Sequence, residues 1–228
     1  MEQLSCPESV VAFLRNCHVE ADALGRLDTL THFYRDLLEA NTRINLTSVT
    51  DCRQFWVKHV ADSLSIGFAA AEFMAGSYRV ADVGSGAGFP SIPLAWANPR
   101  LVITAIETNI KKAEFIAAEM ERLTLRNGAV VNRQAREVGR LPEYAGAYDA
   151  VVARAVADPS SLVRECRQLL RRTSGAVLVI YSTPGLVASE WSLVNREARK
   201  YSLALGASAL IDLPDGGGQR QFFVLRRP

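Results

Sequence analysis

The sequence predicts an α/β fold, with an open and mostly parallel sheet preceded by a helical extension. Three observations predict it. From residue 78 onward, short apolar strand-like runs alternate with amphipathic stretches. A glycine cluster directly follows the first run. Before residue 77 the apolar side chains recur at helical spacing.

The extension is residues 1–76. Leu27, Leu30, Phe33, Tyr34, Leu37 and Leu38 mark one face of a helix, and Asp28 suits the positive end of its dipole. Phe55, Val57, Val60, Ala61, Leu64 and Phe68 mark a second helix. Asn45-Leu46-Thr47-Ser48 is a polar break between them.

The second unit is residues 77–228. Arg79-Val80-Ala81-Asp82-Val83 is a short strand closed by Gly84, Gly86 and Gly88. A helix follows over residues 92–97 and stops before Pro99. Residues 101–106 form a continuous apolar strand of the doubly covered parallel kind, ending on Glu107. Ala113, Ile116, Ala117, Met120 and Leu123 line one helix face, and Gly128 is placed to end that helix. Strands are predicted over 129–131, 150–152 and 176–181, with a helix over 159–170 between the last two. Two more runs, 203–211 and 221–225, are separated by Pro214-Asp215-Gly216-Gly217-Gly218, which predicts an antiparallel pair at the sheet edge.

Composition excludes several classes. At 49% hydrophobic and 22% charged, the 228-residue chain is neither disordered, collagenous nor coiled coil. No apolar run approaches the roughly 20 residues of a membrane span. Met1-Glu2-Gln3-Leu4 lacks the basic and apolar regions of a secretion signal, so a cytoplasmic protein with no membrane contact is expected. Cys6, Cys17, Cys52 and Cys166 form no Cys-x-x-Cys pair, and His18, His32 and His59 form no His-x-x-x-His pair. No metal site is expected.

Net charge is +2 with a pI near 8.4, below the usual mark of a nucleic-acid binder. Lys58, Lys111, Lys112 and Lys200 are the only lysines among 26 basic residues. Arginine's planar fork suits phosphates and guanine edges. An ordinary solvated surface accounts for the same composition.

Asp82-Val83-Gly84-Ser85-Gly86-Ala87-Gly88-Phe89 carries the most information. Glycines let the backbone turn sharply after a strand and approach a ligand closely. The dinucleotide fingerprint is Gly-x-Gly-x-x-Gly; here the third glycine comes one residue early, and Asp82 precedes the loop by two. A carboxylate there opposes a pyrophosphate but accepts a cationic ligand. Glu107, ending the next strand, is placed to accept the hydroxyl hydrogens of a ribose. A nucleoside-bearing cofactor is implied, and the early glycine resembles motif I of S-adenosylmethionine-dependent methyltransferases.

Further segments narrow the resemblance. Asn45-Leu46-Thr47, His59-Val60-Ala61-Asp62-Ser63-Leu64, the stretch 82–93, Glu107 with Lys111-Lys112, and Arg154-Ala155-Val156-Ala157 occur in order. Together they resemble the ribosomal RNA small-subunit methyltransferase G family, also called glucose-inhibited division protein B. The resemblance implies a Rossmann-like class I methyltransferase fold, S-adenosyl-L-methionine as cofactor, and methylation of N7 of a guanine in 16S ribosomal RNA. It implies the RNA or the small ribosomal subunit as partner, with the enzyme acting as a monomer. By position, Asp82, Gly84, Ser85, Gly86, Gly88 and Phe89 would meet the cofactor from the loop, and Glu107 would take the ribose. Ala135 and Arg136 would lie beside the adenine, with Arg154 near the methionine end or the incoming RNA. Asn45, Thr47, Lys58, His59, Asp62, Ser63, Lys111 and Arg133 are RNA-binding candidates.

The chain departs from the family pattern at four places. Arg136 stands where an acid is common, with Glu137 beside it. Lys58 replaces an arginine, Ser91 a glycine, and Tyr181-Ser182 the Lys-Gly that often ends the strand.

The chemistry itself asks little of side chains. Guanine N7 carries no proton, so methyl transfer needs alignment rather than a base. The sequence offers no acid–base or nucleophile constellation. Arg154 reads either as a phosphate or guanine contact or as an ordinary ion pair. His59, Asp62 and Ser63 share a helical face, as an RNA or cofactor-gating group or as a local His–Asp pair on a solvated surface. Phe55 and Trp56 are candidates for base stacking or for the core. Lys111, Arg122, Arg126 and Arg133 are candidates for a phosphate-binding rim or a charged helix surface.

Three other functions compete. A nicotinamide oxidoreductase is disfavoured by the loop spacing and by Asp82. An RNA-binding assembly factor that kept the fold, or a methyltransferase with another substrate, fits the same residues.

Overall fold

The computed structural model describes residues 4–154 and 158–228. Its helical part runs α1 (Glu8–Asn16), α2 (Ala21–Leu24), α3 (Leu27–Ile44) and α4 (Cys52–Phe55), then a π-helical stretch (Trp56–Ala61) and α5 (Asp62–Leu64). A 3₁₀ turn (Ser65–Phe68) and α6 (Glu72–Ala75) lead into the sheet. There β1 (Arg79–Val83), α7 (Ser91–Ala97), β2 (Val102–Ile106), α8 (Ile110–Arg122) and β3 (Gly128–Val131) alternate. The chain continues through α9 (Ala135–Val138), β4 (Ala150–Ala153), α10 (Pro159–Cys166), β5 (Val177–Ser182) and α11 (Pro184–Arg199). It closes with β6 (Ala204–Ala207), β7 (Ile211–Asp212) and β8 (Gln219–Arg226).

The sheet order is β3-β2-β1-β4-β5-β8-β6, with β7 pairing β8 off that path. Neighbours from β3 to β5 are parallel. Strand β8 enters antiparallel between β5 and β6. The predicted antiparallel pair at the edge is present, and it is the last strand that sits inward, against β5.

Side chains alternate between two cores, as the two-residue period of a strand requires. Val80, Ala150, Val152, Val177 and Val179 join Leu30, Phe33, Leu37, Phe55, Trp56 and Leu64 on one face. Ala81, Val151, Ala153, Leu178 and Ile180 face α10 and α11 with Leu162, Val163 and Val194. The helices before residue 77 therefore cover one face of the sheet and share its core.

One boundary moves. Gly128 does not end α8. The helix stops at Arg122, Thr124 takes the left-handed conformation (φ 58°), and Gly128 opens β3 under Met120. A Cβ at residue 128 would lie 2.6 Å from the Met120 sulfur, which is why that position has none.

The strand order reverses between β1 and β4, and the crevice at such a reversal, beyond the carboxyl ends of the strands, is where open α/β sheets bind ligands. Val83 pairs with Ala153 there, so the glycine loop and Arg154 leave the sheet side by side.

Candidate functional site

The loop leaving β1 is shaped by backbone constraint. Gly84, Gly86 and Gly88 all have positive φ (73°, 58° and 93°), a region that side chains rarely adopt. Gly88 is also packed: a Cβ would lie 2.6 Å from Ile92 Cδ1. Gly86 is different. A Cβ there would meet nothing nearer than the Gly84 carbonyl at 3.9 Å, so its face opens into free space.

Glu107 holds this loop. Its Oε2 accepts from Gly86 N (2.8 Å), and Oε1 accepts from Asn109 N (2.8 Å) and the Thr108 hydroxyl (3.4 Å). The strand end is pinned in turn by Asn132, whose amide donates to the carbonyls of Glu107 (2.8 Å) and Thr108 (3.0 Å). A carboxylate offers about four acceptor positions and three are taken, so Glu107 keeps one for a ligand hydroxyl.

Beneath the loop, Asp82 is fully buried. Its Oδ2 accepts from Ser91 N at 3.1 Å and from the Ser91 hydroxyl, while Oδ1 has no partner. Ser85 donates to the Asp82 carbonyl (3.0 Å). Burial pushes the Asp82 carboxyl up to about 6 against the pull of the Ser91 and Ser85 hydrogen bonds. Ser91, the residue that replaces a glycine, is thus the main support of that carboxylate.

Across the crevice, Arg154 Nη1 donates to Asp62 Oδ2 (2.9 Å) and to the Lys58 carbonyl (3.0 Å). Arg220 reaches the same carboxylate from β8, with Nε on Oδ1 (2.5 Å) and Nη2 on Oδ2 (3.0 Å). Asp62 is 1% exposed, so two guanidinium groups compensate one buried charge. The Arg154 guanidinium also lies over the Phe89 ring, 5.3 Å from its centroid.

His59 stacks on Phe89 at 4.2 Å with the rings 14° apart. Its Nδ1 is 3.4 Å from Arg154 Nη2 and its Nε2 is 2.8 Å from Thr47 Oγ1. Arginine only donates, so Nδ1 accepts and Nε2 carries the hydrogen. Burial and the Arg154 charge push the imidazole down to about 3. His59 is a neutral spacer between loop and arginine.

Asn45 ends α3 in the left-handed conformation, and the turn after it is fixed by Asn41, whose Oδ1 accepts from Leu46 N (2.6 Å) and Thr47 N (2.9 Å). Tyr181 donates its hydroxyl to the Ser63 carbonyl (2.5 Å). It ties the end of β5 to α5.

The sequence profile described as GidB, rRNA small subunit methyltransferase G, matches residues 26–190. The chain belongs to the rRNA small subunit methyltransferase G family. The protein of that name from Sorangium cellulosum is 39% identical over 177 residues, covering 78% of this chain and 72% of that one. Its counterpart from Staphylococcus saprophyticus is 34% identical over 197 residues, covering 85% and 78%. Among solved structures, a SAM-dependent O-methyltransferase from Thermotoga maritima aligns over 84% of this chain and 71% of that one (TM-score 0.56, 16% identity). A SAM-dependent methyltransferase from Aquifex aeolicus aligns over 70% and 88% (TM-score 0.52, 18% identity). At those identities the structures speak for the fold, a Rossmann-like class I methyltransferase sheet.

For a methyltransferase G chain, the fit of the donor can be judged on this structure. Open space before Gly86, the remaining acceptor position on Glu107 and the unpartnered Asp82 Oδ1 match a ligand with hydroxyl groups and positive charge. The residues fit. Ala135 is buried in the first turn of α9, with Arg136 and Glu137 exposed beside it.

Other expectations change. Phe55 and Trp56 are fully buried among Phe33, Tyr34 and Phe89, so neither is free to stack on a base. His59 and Asp62 are not a solvated pair; Ser63 and Asp62 are buried, and Arg154 stands between His59 and Asp62. The four-residue basic rim also divides. Lys111 and Arg133 are exposed near the carboxyl ends of β2 and β3, whereas Arg122 ends α8 and Arg126 lies just beyond it. Twelve or so residues at about 1.5 Å each separate the groups, and Arg122 is paired with Asp36 (3.0 Å). Lys58 and Asn45 are exposed, and Thr47 is half-buried. Ala155, Val156 and Ala157 lie outside the described residues.

Arg220, Asn41, Asn132 and the Tyr181 hydroxyl contact carried no local signal. Each acts through a partner at the end of another element.

Proposed function

We propose that this chain methylates N7 of a guanine in 16S ribosomal RNA, using S-adenosyl-L-methionine as donor. The observation that carries the reading is the open glycine loop held by Glu107 at the sheet's reversal point, in a chain of a family named for small-subunit rRNA methylation. The bound donor supplies an electrophilic methyl group on a sulfonium centre.

The chain's own residues bind and align. Gly84, Ser85, Gly86 and Gly88 bring backbone close to the donor; Glu107 accepts from its ribose hydroxyls; Ala135 and Arg136 flank the adenine. Asp82 and Phe89 form the floor. Arg154, fixed by Asp62, presents its remaining N–H groups to phosphate or guanine. Asn45, Thr47, Lys58, His59, Asp62, Ser63, Lys111 and Arg133 make or support the RNA-facing rim. No residue is assigned proton transfer: N7 has no proton to lose, and His59 is neutral and already bonded at both nitrogens. The protein acts in the cytoplasm as a monomer, on the small subunit or its RNA.

The test uses small-subunit RNA lacking the modification, naked and as particles, incubated with the protein and methyl-labelled donor. Digestion to nucleosides should release labelled 7-methylguanosine. Label on another nucleoside rejects the target atom, and absence of label with donor binding intact rejects the substrate.

A further inference from the structure

We propose that a pocket at the opposite end of the sheet from the glycine loop binds backbone phosphates of the RNA substrate, away from the reacting base. This rests on the proposed RNA substrate. The pocket, of about 630 Å³, lies at the amino ends of β4 and β5 and is lined by Gly146, Gln168, Tyr201, Arg167, Arg172 and Arg227 among others, with no carboxylate.

Among the described residues, no carboxylate forms an ion pair with any of its three arginines. Arg167 Nε and Arg227 Nε are buried without a hydrogen-bond partner, and Arg172 is exposed. Three guanidinium groups around one pocket, with no carboxylate among its lining residues, leave charge for an anion to neutralise. Arg167 is held against the Tyr201 ring at 4.4 Å. The walls are stiff, since Gly146 N donates to the Gln168 carbonyl (2.8 Å) and Arg227 N to that of Ala176 (2.8 Å). The nearby carboxylate of Glu197 is taken by Lys200 (2.7 Å) and Tyr201 (3.1 Å). Cations without acids, in a rigid open hollow, suit phosphate.

The shape of the charge selects a polyanion over a small one. A neighbouring hollow is lined by Arg196, Arg199 and Lys200 at the end of α11, so the basic surface continues past Tyr201. Strands of four to six residues separate pocket and loop, roughly 13–20 Å at about 3.3 Å per residue. Phosphates bound there belong to RNA beyond the target nucleotide. Contacts of that kind raise affinity without touching chemistry.

The test compares wild type with Arg167→Ala/Arg172→Ala, with the surface variant Arg172→Glu, and with Arg15→Ala on α1 as control. Steady-state kinetics are run on long 16S RNA and on a short oligoribonucleotide around the target, across a salt series. The double variant should raise KM for long RNA about tenfold, with kcat and oligonucleotide KM as in wild type. Its log KM should depend on log salt with a slope smaller by about 2. Arg172→Glu, which leaves the half-buried Arg167 in place, should move KM the same way while melting as wild type. Unchanged KM in folded variants overturns the pocket alone, as does an equal rise on the oligonucleotide. Stabilisation by inorganic phosphate with no change in RNA KM assigns the pocket to a small anion and overturns RNA. If wild type methylates no RNA at all, the substrate reading fails with it.

Discussion

Asp62 and Arg154 stand 92 residues apart in the chain and meet at 2.9 Å, with the aspartate 2% and the arginine 14% exposed at the side chain. Arg220 completes the group from the far end of the sequence. Removing the shared anion leaves two guanidinium groups facing each other, so Asp62→Asn should cost about 3–5 kcal/mol in chemical denaturation. Arg220→Gln should cost less, because Arg154 still pairs the carboxylate.

Glu107→Gln keeps the shape of the side chain but gives up a charge that accepts hydrogen bonds. Charge-assisted bonds of this kind contribute about 1.5–3 kcal/mol, so S-adenosylhomocysteine affinity should fall roughly ten- to hundredfold by calorimetry. The variant should still fold.

The loop glycines separate structure from binding. Gly88→Ala meets Ile92 as well as an unfavourable φ, and should lower stability by about 1–3 kcal/mol. Gly86→Ala meets only the unfavourable φ and points into open space. Its donor affinity should therefore drop far more than its melting temperature. Equal losses in both assays for Gly86→Ala would mean that the space before it is not the donor's.

Two buried groups give opposite pH slopes. His59 falls from 6.5 to about 3, so only the unfolded chain binds that proton between those values, and its contribution is lost as pH drops through the window. Asp82 rises from 3.8 to about 6; the folded chain holds that proton, and its contribution is lost as pH climbs toward 6. Each slope is limited to about 1.4 kcal/mol per pH unit. Between about pH 4 and 6 they oppose each other. His59→Gln should unmask a stability that falls with rising pH there, and Asp82→Asn one that rises, both read from denaturant midpoints. At pH 7, Asp82→Asn should be no less stable than wild type while binding the donor more weakly.

Tyr181→Phe removes one buried bond, to the Ser63 carbonyl, and should cost about 1–3 kcal/mol because that carbonyl is left unpaired. A neutral result would show that the contact is incidental to the join between β5 and α5.

Much of this was legible in the residues. Strand periodicity located β1, β2, β4 and β5, and the loop spacing with Glu107 located two elements that meet at the sheet's reversal point. What escaped was set by partners distant in sequence. Nothing near Arg220 says that β8 slides in beside β5 and delivers it to Asp62. Tyr181 reads as a missing lysine until its hydroxyl is seen on α5, and Ser91 as a lost glycine until it is found under Asp82. Phe55 and Trp56 read as stacking platforms or as core, because aromatic chemistry is the same in a core and at a surface. Thr124 gave no warning at all, since a threonine with positive φ is a choice made by packing.

The inward seat of β8 has a consequence for synthesis. A ribosome making this chain translates the glycine loop and its glutamate before the chain is half finished, and the parallel strands around them can begin to pair. Asp62 must wait until residue 220 has cleared the exit tunnel before its second counter-charge arrives. A nascent chain stopped short of β8 would carry the glycine loop already tied to Glu107, while Asp62 faced Arg154 alone.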